Sequence, residues 1–165
     1  MVTTYLKYTQ EVLADFFKFQ LLHKSNVKWL YFGLSAFCLA LGMLEIFVWD
    51  SMTLGIIISV LSVALVLVFP LQIKGTVKKE VANMVNHIDI KLVFDNTGVR
   101  QEISEKRFAF DPWANFSEVI ETKKYLYFYT NKYEAIIVTK ALLKDGEREM
   151  LLRMATDHQV KRKVK

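Results

Sequence analysis

Between Trp29 and Ile73 the chain is almost without charge, and this one block limits what it can fold into. Trp29–Trp49 reads WLYFGLSAFCLALGMLEIFVW, with Glu45 as its single charged residue. Met52–Ile73 reads MTLGIIISVLSVALVLVFPLQI and carries no charge. A bilayer core takes roughly 20 residues of helix, and each run supplies that length. Only Asp50 and Ser51 separate the runs. Two residues cannot lead a chain back through a bilayer, so the second helix must return from the side the first one reached. The expectation is a transmembrane helical hairpin, with helices over about 29–49 and 52–73. A cleavable signal peptide is excluded, because its apolar core spans about 7–15 residues behind a short charged lead, and here 28 residues precede the block.

The flanks set the expected orientation. Lys24 and Lys28 precede the first run, Lys74, Lys78 and Lys79 follow the second, and the turn has no basic residue. The positive-inside bias then places both termini in the cytoplasm, in a multi-pass protein of the inner (cytoplasmic) membrane. Trp29, Tyr31 and Trp49 suit the interfacial aromatic belt. Gly33, Ala36, Ala40 and Gly42 on the first helix, and Gly55, Ser59, Ser62 and Ala64 on the second, permit close packing and self-association. Counting back from the turn sets Gly42 opposite Ser59 and Ala64 opposite Phe37. Glu45 lies four residues from Trp49, about 6 Å along a helix, within reach of interfacial water. Pro70 falls in the last turn of the second helix, where a bend is expected. Cys38, the one cysteine, sits too deep for lipidation and reads as a small buried residue.

Outside the block the composition is that of a mixed-charge domain. The net charge of +5 is carried by residues 74–165, with 18 basic and 13 acidic residues. Three regions are expected: 1–28, a strand and an amphipathic helix; 29–73, the hairpin; and 74–165, a cytoplasmic domain. Val2–Tyr8 is β-rich, and Thr9 is placed to cap a helix whose first turn holds Glu11. That helix, with Val12, Phe16, Phe19 and Leu22 or His23 near helical spacing, suits either the membrane interface or the domain surface.

Lys74–His87 has helical spacing. Beyond it Ile88–Asp95 alternates as a half-buried strand and Asn96-Thr97-Gly98 turns. Val99–Phe110 is a second, less regular strand, broken by Asp111-Pro112. Trp113–Thr122, Tyr125–Thr130 and Glu134–Thr139 follow as strands, and Leu142 to about Val160 as a helix. Short strands followed by one helix predict an α+β domain: an antiparallel, pleckstrin-homology (PH)-like sheet or partial barrel capped by a C-terminal helix.

In Trp113-Ala-Asn-Phe116, Val119-Ile-Glu-Thr122, the aromatic strand Tyr125–Tyr129 and Ile136-Ile-Val-Thr-Lys140, the chain resembles the YcxB-like family of small bacterial membrane proteins. Thr139 stands where that family often has proline. The resemblance implies a membrane-tethered PH-like domain of unassigned activity and supplies no catalytic or ligand residues to carry over.

The residues point to no reaction. His23, His87 and His158 stand apart from any second ligand at zinc spacing. No glycine-rich phosphate loop, nucleophile elbow or HExxH motif is present. A non-enzymatic protein without cofactor or metal is expected. Glu118 and Glu121 read as a solvated strand face. Trp113 with Tyr125, Tyr127 and Tyr129 reads as sheet core rather than a base-stacking platform, so no nucleic-acid partner is expected. Two functions stay open. In one, the domain binds a protein partner through a strand edge or an aromatic face. In the other it reads anionic lipid headgroups through Lys78, Lys79, Lys123, Lys124, Lys161, Arg162, Lys163 and Lys165. A solvated tail is the alternative for the last four.

Overall fold

The computed structural model describes residues 1–49, 51–84, 89–104 and 107–164. The chain divides into two compact units, Met1–Val12 with Asn86–Lys165, and Leu13–Val85. The first unit begins with β1 (Val2–Lys7), continues after the helices with β2 (Asp89–Phe94), β3 (Gly98–Ser104) and β4 (Arg107–Pro112), and then passes through one 3-10 turn, Trp113–Asn115. β5 (Glu118–Glu121), β6 (Tyr125–Tyr129), β7 (Ala135–Thr139), helix α4 (Glu147–Asp157) and β8 (Lys161–Val164) complete it.

The strands form two four-stranded sheets, ordered β1-β2-β3-β4 and β7-β6-β5-β8. All pairings are antiparallel except that of β8 with β5, which is parallel. β1 is the notable partner: a strand from before the apolar block pairs with the first strand after it, Val2 opposite Phe94 and Leu6 opposite Ile90. Val2, Thr4 and Leu6 are buried while Thr3 and Tyr5 face out, the period-2 pattern of a sheet with one wet face. Phe94, Trp113, Phe116 and Phe128 meet between the sheets at centroid separations of 5.2–6.3 Å. Such ring pairs add about 0.5–1.5 kcal/mol each beyond the area they bury.

Two expectations are corrected here. The single strand over Val99–Phe110 is two strands, paired from Gly98–Pro112 to Ser104–Arg107. Its irregular pattern has a physical source: Val99 faces the core, whereas Phe108 and Phe110 face out. Asp111-Pro112 does not break β4 but ends it, on an edge where the missing proline N–H costs no ladder bond. The C-terminal helix stops at Asp157, and the basic tail after it is a strand. Gln159, at φ 61°, makes the corner, and Gln159 and Val160 donate their N–H groups back to the carbonyls of Thr156 and Ala155.

The second unit holds the rest of α1 (Gln10–Phe19), a π-helical turn Gln20–Lys24, α2 (Val27–Phe47) and α3 (Met52–Met84). Thr9 caps α1 as expected, its Oγ1 accepting from the Val12 N–H at 3.3 Å. Both α2 and α3 are long and apolar enough to cross a membrane. α3 runs on through Pro70 for 33 residues, so the helix expected over 52–73 and the helical segment from Lys74 are one element. The turn residue Asp50, and Val85 to Ile88 with His87, lie outside the described residues.

α2 and α3 meet along a narrow polar seam. A Cβ on Gly42 would sit 2.5 Å from Ser59 Oγ and 2.9 Å from the Gly55 carbonyl oxygen. One on Gly55 would sit 2.6 Å from the Gly42 carbonyl oxygen. Ser35 Oγ donates to the Ser62 carbonyl at 3.0 Å, and Ser62 Oγ returns the bond to the Ser35 carbonyl at 2.8 Å. Tyr31 Oη bonds Gln72 nearer the open end. Gly42 therefore does face Ser59, but Ala64 and Phe37 are both exposed, as are Gly33, Ala36 and Ala40. The register follows the serine and glycine backbones, which can approach closely, and the other small residues lie off the seam.

Candidate functional site

β5 is a short strand, EVIE, buried at all four positions. Glu118 and Glu121 are 7% and 3% exposed, so the solvated strand face expected for them is corrected. A strand between β6 and β8 has neither edge free, and its alternate faces are both covered. Burying a carboxylate is costly unless it is paired, and both are paired. Glu121 Oε1 accepts from Lys140 Nζ at 2.7 Å and from Arg148 at 2.6 and 2.8 Å, while its Oε2 accepts from Arg162 at 2.9 Å. Glu118 pairs with Lys163 at 2.6 Å. Burial pushes the Glu121 carboxyl upward, but the hydrogen bonds from Lys140, Arg148 and Arg162 outweigh it and hold the group at about 2. The three cations come from the 3-10 turn after β7 (Lys140–Leu142), from α4 and from β8, so one carboxylate ties three elements to β5. Beside it a cleft of about 300 Å³ opens, lined among others by Arg148, Leu152, Arg153, Thr156 and Arg162.

A second constellation is the turn between β2 and β3. Asp95 Oδ1 accepts from the Thr97 N–H at 2.7 Å, the Thr97 hydroxyl at 2.5 Å and the Gly98 N–H at 3.0 Å, which lower its pKa. Gly98 is required because a Cβ there would lie 2.3 Å from the Asp111 carbonyl oxygen. The turn grips Trp113, whose Nε1–H donates to the Asp95 carbonyl at 2.8 Å. His158 stacks near Trp113, with centroids 5.6 Å apart and rings 7° from parallel.

A third feature is the outer face of the first sheet. Phe108 is 72% and Phe110 45% exposed. They sit at alternate positions of β4, opposite Glu102 and Arg100. β4 has no strand on its other side among the described residues. Tyr5, 52% exposed, continues the face across β1, with the Lys91–Glu102 ion pair of 2.9 Å between.

Three of the basic residues expected to contact lipid lie in ion pairs. Arg162 and Lys163 are committed to Glu121 and Glu118, and Lys124 pairs with Glu11 at 3.0 Å. Lys123 and Lys161 are exposed on the sheet unit, Lys78 and Lys79 are exposed on α3, and Lys165 lies outside the described residues. Trp113, Tyr125, Tyr127 and Tyr129 are all buried, so no ring face is offered to a base. Among the described residues no group of His, Cys, Asp and Glu is arranged to hold a metal ion.

The class defined by these features is a pair of long apolar helices inserted after the first strand of a two-sheet α+β domain. Residues 94–154, from the end of β2 into α4, match the family described as YcxB-like protein, and the resemblance carried by Trp113–Phe116 and the strands after it is thereby shown. No curated protein and no solved structure matches the chain.

Proposed function

We propose that this protein is an interaction module anchored in the cytoplasmic membrane by α2 and α3. Its sheet unit, of PH-like plan, docks a protein partner by strand addition along β4. The observation that carries the reading is the pair Phe108 and Phe110 on an edge strand with no strand neighbour among the described residues. An edge strand offers a row of unpaired backbone groups, and natural sheets usually protect such edges with charge. Here the edge strand RFAFDP carries two outward phenylalanines between Arg107 and Asp111-Pro112, and strand addition would use its backbone for affinity and these alternate side chains for specificity.

Membrane anchoring is supported by the outward apolar surface of both helices, where Leu30, Phe37, Leu61 and Leu67 are exposed. The helical pair is inserted between β1 and β2 of one folded unit, so helices that cross a membrane leave both flanks on one side. The Lys/Arg bias makes that side the cytoplasm.

The test is site-specific photocrosslinking of the full chain in native membranes. A benzophenone amino acid at position 108 should give one discrete protein adduct, and the same group at exposed Lys144 should give none. The Phe110→Asp variant should abolish the adduct. No adduct at 108 would sink the reading. Anionic-lipid binding keeps a smaller foothold in Lys78, Lys79, Lys123 and Lys161, exposed and without ion pairs among the described residues. It predicts that K78Q/K79Q lowers the anionic lipid retained by the purified chain.

A further inference from the structure

The β4 edge, open among the described residues, has a counterpart in the second sheet, where β8 occupies the outer edge of β5. β8 differs from every other strand here. It is the one parallel strand among those described, and each of its four residues is exposed. Val164, its last described residue and its one apolar side chain, is 69% exposed. Little apolar burial therefore holds it. Its side-chain anchors are two ion pairs, Arg162 to Glu121 and Lys163 to Glu118.

Those acceptors belong to β5, which has a second strand partner. β5 is paired along its other edge with β6 from Glu118–Tyr129 to Glu121–Leu126. Without Arg162, Glu121 keeps Lys140 and Arg148. The preceding Val160 is buried and bonded to Ala155, so the strand beyond it can leave while the corner stays seated. Glu118 and Glu121 stand three residues apart on β5 and so point to opposite faces of the sheet. A strand laid against β5 can meet both carboxylates with two successive basic side chains, one to each face, as Arg162 and Lys163 do.

We propose that the β5 edge is a docking groove for an extended segment of a partner protein carrying two adjacent basic residues, with β8 as its built-in occupant. The partner displaces β8 and replaces its two ion pairs in kind. This site is separate from the β4 edge and goes beyond the function proposed above.

The test uses the full chain in detergent micelles and a fluorescein-labelled peptide, VKRKVK, the sequence of residues 160–165. The R162E/K163E double variant expels its own β8 by repulsion from Glu118 and Glu121. It should bind the peptide with anisotropy saturating at least tenfold below the concentration the parent chain needs. A peptide with its basic residues changed to glutamine should not bind, and adding Glu118→Gln should weaken binding at least tenfold. A chain ending at Val160 opens the groove without added acid and serves if the double variant does not fold. Equal binding to parent and opened chains would overturn the proposal. So would indifference to Glu118→Gln, or no binding by an opened chain whose tryptophan emission matches the parent. A parent dimer that R162E/K163E dissolves would make a second copy the occupant and overturn the assignment to a separate partner. F108D/F110D should leave peptide binding unchanged, which keeps this test apart from that of the β4 edge.

Discussion

Glu121 concentrates more of the domain's electrostatics than any other described side chain. Its pKa of about 2 in the folded protein lies below the ordinary 4.5. A depressed carboxyl stabilises the fold at pH values above its unfolded pKa, and that contribution is lost as pH falls through 4.5 toward 2. At about 1.4 kcal/mol per pKa unit, the contribution at neutral pH is on the order of 3 kcal/mol. Glu121→Gln should therefore lower stability at pH 7 by about 2–3 kcal/mol and have little effect near pH 2. Urea unfolding at the two pH values reads this directly, and an equal loss at both would assign the effect to packing. The sequence hides this site. EVIE looks like a charged surface strand, because nothing local says that β5 is central. The cations that make burial tolerable stand at positions 140, 148 and 162, distances that only the folded topology closes.

At the scale of elements, the α2–α3 seam is a backbone contact. Gly55→Leu would drive a side chain into the Gly42 carbonyl, a backbone atom that cannot swing aside. The expected loss is about 1–3 kcal/mol, typical of overpacking. Ser62→Ala removes one of two crossed hydroxyl-to-carbonyl bonds and should cost about 0.6 kcal/mol, the usual worth of such a bond between membrane helices. SDS-titrated unfolding in mixed micelles gives both values, and a Gly55→Leu chain as stable as its parent would exclude the close approach. Much of this layer was legible. Length and hydropathy mark both helices, and counting from the turn places Gly42 against Ser59. Ser35 was missed because small-residue counting favoured the glycine and alanines nearby. The signal that finds it is the seven-residue step from Ser35 to Gly42, two turns of one helical face. The π-helical turn at Gln20–Lys24 had no sequence signal, since its pattern continues that of α1.

For the molecule as a whole, the decisive fact is that β1 is separated from its partner strand by the entire helical pair. The alternation in Val2–Tyr8 marks a strand, but nothing in it names a partner more than eighty residues away, and the segment reads as a lead to the first helix. In the structure Val2, Thr4 and Leu6 are nearly inaccessible, and the six-residue ladder with β2 makes one flank of the first sheet. A fragment of residues 74–165 lacks this strand. It exposes the apolar row Ile90, Leu92 and Phe94 along an open edge of β2, the surface that natural sheets avoid. That fragment should aggregate or show no cooperative unfolding. A fragment that joins residues 1–12 through a flexible linker to residues 86–165 should regain a single transition. It should also protect the amides of β2 from hydrogen exchange. If the shorter fragment unfolds cooperatively with β2 protected, β1 is dispensable. The sheet unit would then be a domain that follows the helices and not one that the helices interrupt.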